Sequence, residues 1–138
     1  MLCRAINRKG VFVKNTHIFL VEDNKIISNM LIDFLCFDGH QVVLTAFDLK
    51  EALNLIASGQ LRGKGVNLAI IDGNFPEKAG DVKDIFGGPM VAKAIKDANL
   101  GIQVIAHISP EGNDAKYGDV YVQKGNPKEL FTAIASLP

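Results

Sequence analysis

The sequence lacks the long apolar runs of membrane proteins and the one-sided charge of many nucleic-acid-binding proteins. Its longest apolar stretches are about four residues, as in Ile18–Val21 and Leu68–Ile71, whereas a transmembrane helix needs roughly 20. Lys and Arg number 15, as do Asp and Glu, so the formal net charge is zero. We therefore expect a soluble protein with no membrane contact and no direct nucleic-acid binding.

Cysteine is scarce as well. Cys3 and Cys36 are the only two cysteines, with neither a CxxC spacing nor a histidine cluster beside them. They fit a reducing cytoplasm better than a disulfide scaffold or a zinc site. The start of the chain, Met1–Asn15, is basic but has no apolar segment, so we expect no secretory signal there. These features predict a cytoplasmic protein with an N-terminal extension over residues 1–15.

From residue 16 onward, short apolar runs alternate with helical patterns. The predicted strands are Ile18–Val21, Val42–Ala46, Leu68–Ile71, Ile102–Ile108 and Val120–Val122. In the first helix, the spacing predicts that five apolar residues face the core: Ile27, Met30, Leu31, Phe34 and Leu35. Further helices are predicted after Asp48, Gly88 and Asn126. Strands that alternate with helices predict a doubly wound α/β domain with a parallel sheet.

Two segments depart from this regular alternation. Residues 73–87 join the third strand to the third helix by 15 residues rich in glycine and charge, and loops of that length are usually functional or mobile. Only 11 residues lie between Ser109 and Tyr121, too few for two connections and a normal helix. We therefore expect the fourth helix to be a single turn or missing.

Polar side chains follow four of the five predicted strands: Glu22 and Asp23, Asp72, Ser109, and Lys124. Each of them alone has an ordinary explanation as a helix cap, a turn residue or a surface lysine. In an open parallel sheet, however, the carboxyl ends of the strands form the ligand-binding edge. The joint placement therefore favours a functional site.

The residue types at this edge suit phosphoryl transfer. Three carboxylates raise one another's pKa unless a cation sits among them, and oxygen ligands suit Mg²⁺. Asp72 could then attack phosphorus and form an acyl phosphate. Mg²⁺, the Ser109 hydroxyl and the Lys124 ammonium would each neutralise one phosphoryl oxygen.

With these residues at the ends of its strands, the sequence resembles a known family. The segments VED at 21–23, IDGNFP at 71–76, HIS at 107–109 and YVQK at 121–124 are similar to the receiver domain of two-component response regulators (CheY-like). The resemblance spans about residues 16–137 and implies a receiver domain over 16–138. It also implies a flavodoxin-like fold, with five parallel strands in the order 2-1-3-4-5.

The resemblance implies a role for each residue at the edge. Asp72 would be the phosphoacceptor, Ser109 the switch hydroxyl and Lys124 the invariant lysine. Tyr121 would be the switch aromatic. The implied Mg²⁺ ligands are Asp23 and Asp72 directly, Glu22 through water, and Asn74 through its backbone carbonyl. Asn74 and Glu111 would tune dephosphorylation.

The sequence departs from the family pattern in three places. The loop at 73–87 is longer than usual, and Gly125 replaces the proline that normally follows the lysine. The family's cis peptide at that position is costly before any residue other than proline. The shortened fourth helix removes part of the surface that receivers commonly use for output, so we expect a different output surface here.

We therefore expect a phosphoacceptor that is not an enzyme in its own right but assists its own Mg²⁺-dependent phosphorylation and dephosphorylation. Its phosphodonor would be a histidine kinase or a histidine phosphotransfer protein. With no room for an output domain after Lys124, the signal would pass to an unknown downstream protein.

One alternative is a pseudo-receiver that binds proteins without phosphorylation. Another, a haloacid-dehalogenase-type hydrolase, needs a second acidic motif downstream of the lysine. His107, in an apolar strand, is expected to be a core or rim histidine rather than a ligand.

Overall fold

The computed structural model describes residues 16–109 and 116–137. Within these ranges the strands are β1 (His17–Val21), β2 (Gln41–Ala46), β3 (Leu68–Asp72), β4 (Phe75–Pro76), β5 (Asp84–Ile85), β6 (Gln103–Ile108) and β7 (Val120–Gln123). The helices are α1 (Lys25–Phe37), α2 (Leu49–Ala57), α3 (Gln60–Gly63), α4 (Gly88–Asp97) and α5 (Pro127–Ser136). The predicted extension over residues 1–15 lies outside the described residues.

The five long strands form one parallel sheet in the order β2-β1-β3-β6-β7. This confirms the predicted doubly wound fold, because the order is 2-1-3-4-5 when the long strands alone are counted. In the register, Val21 pairs with Ile71, and Asp72 pairs with His107. The strands that carry the candidate residues therefore end at the same edge of the sheet.

Two apolar clusters cover the two faces of this sheet. One contains residues of α2 and α4, with Phe19, Ile71 and Val104 from the strands. The other contains residues of α1 and α5, with Ile70 and Ile105 from the strands. All five residues of β3 are buried, and burying one Ile or Leu side chain stabilises a fold by roughly 1.5–3 kcal/mol. The central strand therefore gives Asp72 a rigid support.

The inward face predicted for α1 is only partly right. Leu31 and Leu35 are buried as expected, but Ile27, Met30 and Phe34 are 36%, 50% and 40% exposed. Ser28 is buried beside the two leucines instead. The sheet covers only one side of the helix, so its other apolar residues form a second stripe that stays at the surface.

The long loop after β3 has more structure than we expected. Its strands β4 and β5 form an antiparallel hairpin, in which Phe75 pairs with Ile85, and Phe75 is fully buried. The helix after it begins at Gly88, as predicted. The short helix α3 was not predicted, because Gly59, the residue before it, is typical of a helix end. No helix occurs in the described part of the connection between β6 and β7 (Ser109 and residues 116–119).

Two further expectations concern the cysteines and a possible membrane-spanning helix. Cys36, in α1, is disulfide-bonded, so the expectation of two unpaired thiols is wrong for this residue. Cys3 lies outside the described residues. In the part of the chain that the structure describes, no helix has the length and apolar character needed to cross a membrane.

Candidate functional site

The candidate residues converge at the carboxyl edge of the sheet. Glu22 and Asp23 directly follow β1, and Asp72 is the last residue of β3. Ser109 directly follows β6, and Lys124 directly follows β7. Their predicted placement at one edge is therefore confirmed. Asn74 lies between β3 and β4, two residues after Asp72, whereas Glu111 lies outside the described residues.

Three carboxylates meet at this edge. Glu22, Asp23 and Asp72 each place one oxygen so that all three oxygens lie within 4.8 Å of one another. Glu22 is 2% exposed and Asp72 7%, and Asp23 is partly buried. A set of close carboxylate oxygens with little access to water matches the ligand preference of a hard cation such as Mg²⁺. The residues present therefore fit the implied metal ion.

One ammonium group joins two of these carboxylates. The Nζ of Lys124 lies 2.8 Å from Oε1 of Glu22 and 3.0 Å from Oδ1 of Asp72. The same Asp72 oxygen accepts a 2.7 Å hydrogen bond from the amide of Gly73, and Oε2 of Glu22 accepts a 3.2 Å bond from the amide of Asn24. Each buried carboxylate thus has both a charged partner and a backbone donor.

The electrostatics of the site follow from burial and these contacts. Burial raises the pKa of Asp72, and the charge of Asp23 adds to this rise. Lys124 and the Gly73 amide oppose it. Burial alone would lower the pKa of Lys124, but the charges of Asp72 and Glu22 outweigh burial and raise this pKa. The lysine is therefore held in its charged form between two acids.

The turn after the lysine differs from the family pattern in its backbone. No cis peptide bond occurs among the described residues, so the bond between Lys124 and Gly125 is trans. Gly125 has a φ of 118°, a conformation that glycine adopts readily and other residues rarely do. The chain therefore reaches the position of the Lys124 ammonium through a glycine turn.

Tyr121 does not lie inside the site. Its side chain is 40% exposed, and the Nζ of Lys116 lies 5.7 Å from the centroid of its ring. A different tyrosine, Tyr117, points inward. Its hydroxyl donates a 2.7 Å hydrogen bond to the carbonyl of Ile71, the residue before Asp72.

Sequence reasoning missed Tyr117 and Asp84. Asp84, in the hairpin strand β5, adds its charge to burial and to Glu22 in raising the pKa of Asp23. No local pattern in the sequence indicates that Asp84 lies near Asp23, because the hairpin itself was not predicted. For Tyr117, the pair Gly87-Gly88 was the available signal, since adjacent glycines often mark a close approach.

His107 is buried, as predicted for a core histidine. It is 7% exposed, and its strand neighbours include Asp72 and Val122. Burial, together with the nearby charge of Lys124, lowers the pKa of His107 to about 4. The imidazole is therefore neutral near pH 7.

The comparisons with known proteins concern the fold. No family model and no curated protein matches the sequence. The fold is similar to the response regulator receiver domain from Clostridium thermocellum (TM-score 0.68, 21% identity, covering 86% of this chain and 90% of that one). It is also similar to a CheY-like receiver domain from Methanospirillum hungatei JF-1 (TM-score 0.66, 21% identity, 88% and 91% covered).

A third similar structure is the signal receiver domain of a Luxo repressor protein from Vibrio parahaemolyticus. Its TM-score is 0.67 at 16% identity, covering 88% of each chain. The chain therefore has the fold of response regulator receiver domains over most of its length.

The buried imidazole of His107 generates a pH prediction. In the folded state, His107 takes up a proton only near pH 4. In the unfolded chain, a histidine takes up its proton near pH 6.5. Stability should therefore fall as the pH drops through this window, with a His107 contribution of up to about 3 kcal/mol. The variant His107→Leu should lose this contribution, as urea unfolding at pH 4.5 and pH 7 can measure. Equal pH dependence in parent and variant would contradict the assignment.

Proposed function

We propose that this chain is a phosphoacceptor of a two-component signalling system, with Asp72 as the accepting residue. The observation that carries the proposal is the contact of one ammonium, on Lys124, with both Glu22 and Asp72 beside a third carboxylate. A structural ion pair would need one acid, whereas three acids and one lysine at a strand edge leave net negative charge. Such a set suits a bound cation and a transferred phosphoryl group.

The proposed reaction moves a phosphoryl group from a donor's phosphohistidine to Asp72. A carboxylate oxygen of Asp72 forms the new O–P bond while the N–P bond of the donor breaks. The electron pair of that bond stays on the departing imidazole nitrogen. The product is an acyl phosphate, in which the charge of the phosphoryl oxygens has to be neutralised.

The chain's own residues would perform most of this neutralisation. The ammonium of Lys124, already 3.0 Å from Asp72, would move from the carboxylate to a phosphoryl oxygen, and the Ser109 hydroxyl would donate to another. Glu22, Asp23 and Asp72 would hold Mg²⁺, together with the backbone carbonyl of Asn74. When bound, the ion supplies charge neutralisation at the phosphoryl group. In this proposal the chain assists its own phosphorylation and dephosphorylation but acts on no separate substrate.

The phosphodonor is proposed to be a histidine kinase or a histidine phosphotransfer protein that docks on α1. The exposed stripe of Ile27, Met30 and Phe34 continues into a groove of about 300 Å³ that Lys124 also lines. An apolar surface beside an acceptor residue is a suitable docking site for a helix of the donor protein, because a few buried apolar side chains supply most of the binding energy of such a contact. We also propose that the chain passes its signal to another protein. The proposed location of the chain is the cytoplasm.

Two observations favour the alternative of a phosphorylation-independent pseudo-receiver. Tyr121, the aromatic residue that the resemblance assigns to the switch, is largely outside the site. The described part of the β6–β7 connection also has no helix. A pseudo-receiver would bind its partner with the same affinity whether or not acetyl phosphate and Mg²⁺ are present.

The first test is phosphorylation by acetyl phosphate with Mg²⁺, followed by intact mass. The parent should gain about 80 Da, the mass of one phosphoryl group. Asp72→Asn should not gain it, because the amide lacks the nucleophilic oxygen. Asp97→Asn is a matched control, since Asp97 pairs with Lys93 on the surface of α4. No Mg²⁺-dependent gain on the parent, or a gain on Asp72→Asn, would overturn the proposal.

The second test concerns the docking surface on α1. With a histidine kinase that phosphorylates the parent chain, Phe34→Ser should slow transfer about tenfold, because an apolar anchor is lost. Transfer from acetyl phosphate should stay unchanged, since this small donor does not use the surface. Val82→Ser is the control, because Val82 is fully exposed on the hairpin. An equal loss with both donors would assign Phe34 to stability rather than docking.

A further inference from the structure

Tyr117 contacts the acceptor strand more closely than its position in the sequence suggests. Its hydroxyl donates to the carbonyl of Ile71, one residue before Asp72. Its ring meets the ring of Phe86 edge-on, with centroids 6.1 Å apart and planes at 77°. The side chain also packs against the apolar cluster of α2 and α4. The tyrosine therefore joins the β6–β7 connection to the strand that carries the acceptor.

Tyr117 lies in close contact with Gly88. A Cβ atom added at Gly88 would lie 2.6 Å from the Asp72 carbonyl oxygen and 2.6 Å from the hydroxyl oxygen of Tyr117. Real Cβ contacts essentially never come that close. The glycine is thus required for Tyr117 to approach the backbone of Asp72.

The residues that follow Tyr117 are attached to β6 and α4. Asp119 accepts hydrogen bonds from the Nζ of Lys96 and the amide of Val104, and its own amide donates to the Val104 carbonyl at 2.8 Å. Gly118 passes so close to Val104 that an added Cβ would lie 2.9 Å from the carbonyl oxygen. In the described part of the connection, these contacts and Tyr117 attach residues 117–119 to the neighbouring elements.

We infer that Tyr117, rather than Tyr121, couples the state of Asp72 to the β6–β7 connection. This inference rests on the proposed phosphorylation of Asp72. Ser109 stands at the start of the same connection, directly after β6. A phosphoryl group on Asp72 adds bulk and negative charge next to Ile71, whose carbonyl Tyr117 contacts. Tyr117 then releases this carbonyl, and the connection loosens at residues 117–119.

Coupling of this kind is reciprocal. A contact that phosphorylation breaks must itself oppose phosphorylation, by the same free energy. Removing the Tyr117 hydroxyl should therefore raise the ratio of phosphorylated to unphosphorylated chain, at equilibrium with acetyl phosphate and acetate, by roughly two- to tenfold, the range expected for one hydrogen bond. Tyr121 makes no such contact among the described residues and should show no such effect.

The test compares Tyr117→Phe with the matched change Tyr121→Phe in the full chain. Each protein is phosphorylated with acetyl phosphate and Mg²⁺, the phosphorylated fraction is read by intact mass, and hydrogen exchange of the Asp119 amide is measured. In the parent, phosphorylation should speed this exchange about tenfold. In Tyr117→Phe, exchange should already be fast and change less than about twofold. Tyr121→Phe should behave like the parent.

The outcomes separate this inference from the proposed function. If the parent gains phosphoryl but Tyr117→Phe responds as the parent does, the coupling through Tyr117 is wrong. The same conclusion follows if Tyr121→Phe is the variant that loses the response. If the parent gains no phosphoryl group, the proposed function fails and the inference fails with it. Because phenylalanine retains the ring contacts, circular dichroism should show both variants folded.

Discussion

The ammonium of Lys124 is the interaction on which this site depends. Glu22 and Asp72 are nearly inaccessible to water, and two buried carboxylates beside a third would repel one another strongly. The lysine contacts both at 2.8 and 3.0 Å. Leaving a buried charge without its partner costs several kcal/mol, so this contact allows the acids to stay ionised inside the fold.

The parallel sheet explains why these residues meet at all. Glu22, Asp72 and Lys124 are far apart in the sequence, but each stands at the carboxyl end of a strand, and the three strands end at one edge. The central strand is buried along its whole length. The site therefore rests on a stable support.

Much of this arrangement could be predicted from the sequence, for a physical reason. Buried parallel strands appear as short apolar runs, so the residue after each run is known, and the sheet edge collects those residues. This reasoning placed Glu22, Asp72 and Lys124 correctly. The implied roles of Ser109 and Asn74 remain predictions, because only their positions along the chain are established.

Other features could not be predicted, because they depend on tertiary packing. The periodicity of α1 is consistent with more than one inward face, and only contact with the sheet selects Leu31 and Leu35 over Met30 and Phe34. The hairpin has strands of two residues each, too short to produce an alternation. Which tyrosine points inward depends on the space at Gly88, and the Gly87-Gly88 pair indicates a close approach without indicating which side chain makes it.

The most direct measurement is the free energy of unfolding of Lys124→Met, with and without Mg²⁺. Lys128→Met serves as control, because Lys128 is exposed on α5. Without Mg²⁺ the Lys124 variant should lose about 3 kcal/mol, the cost of a buried charge without its partner. Mg²⁺ should restore part of this loss and stabilise the variant more than the parent. Parent-like stability that does not respond to Mg²⁺ would contradict the account of three acids held together by one lysine.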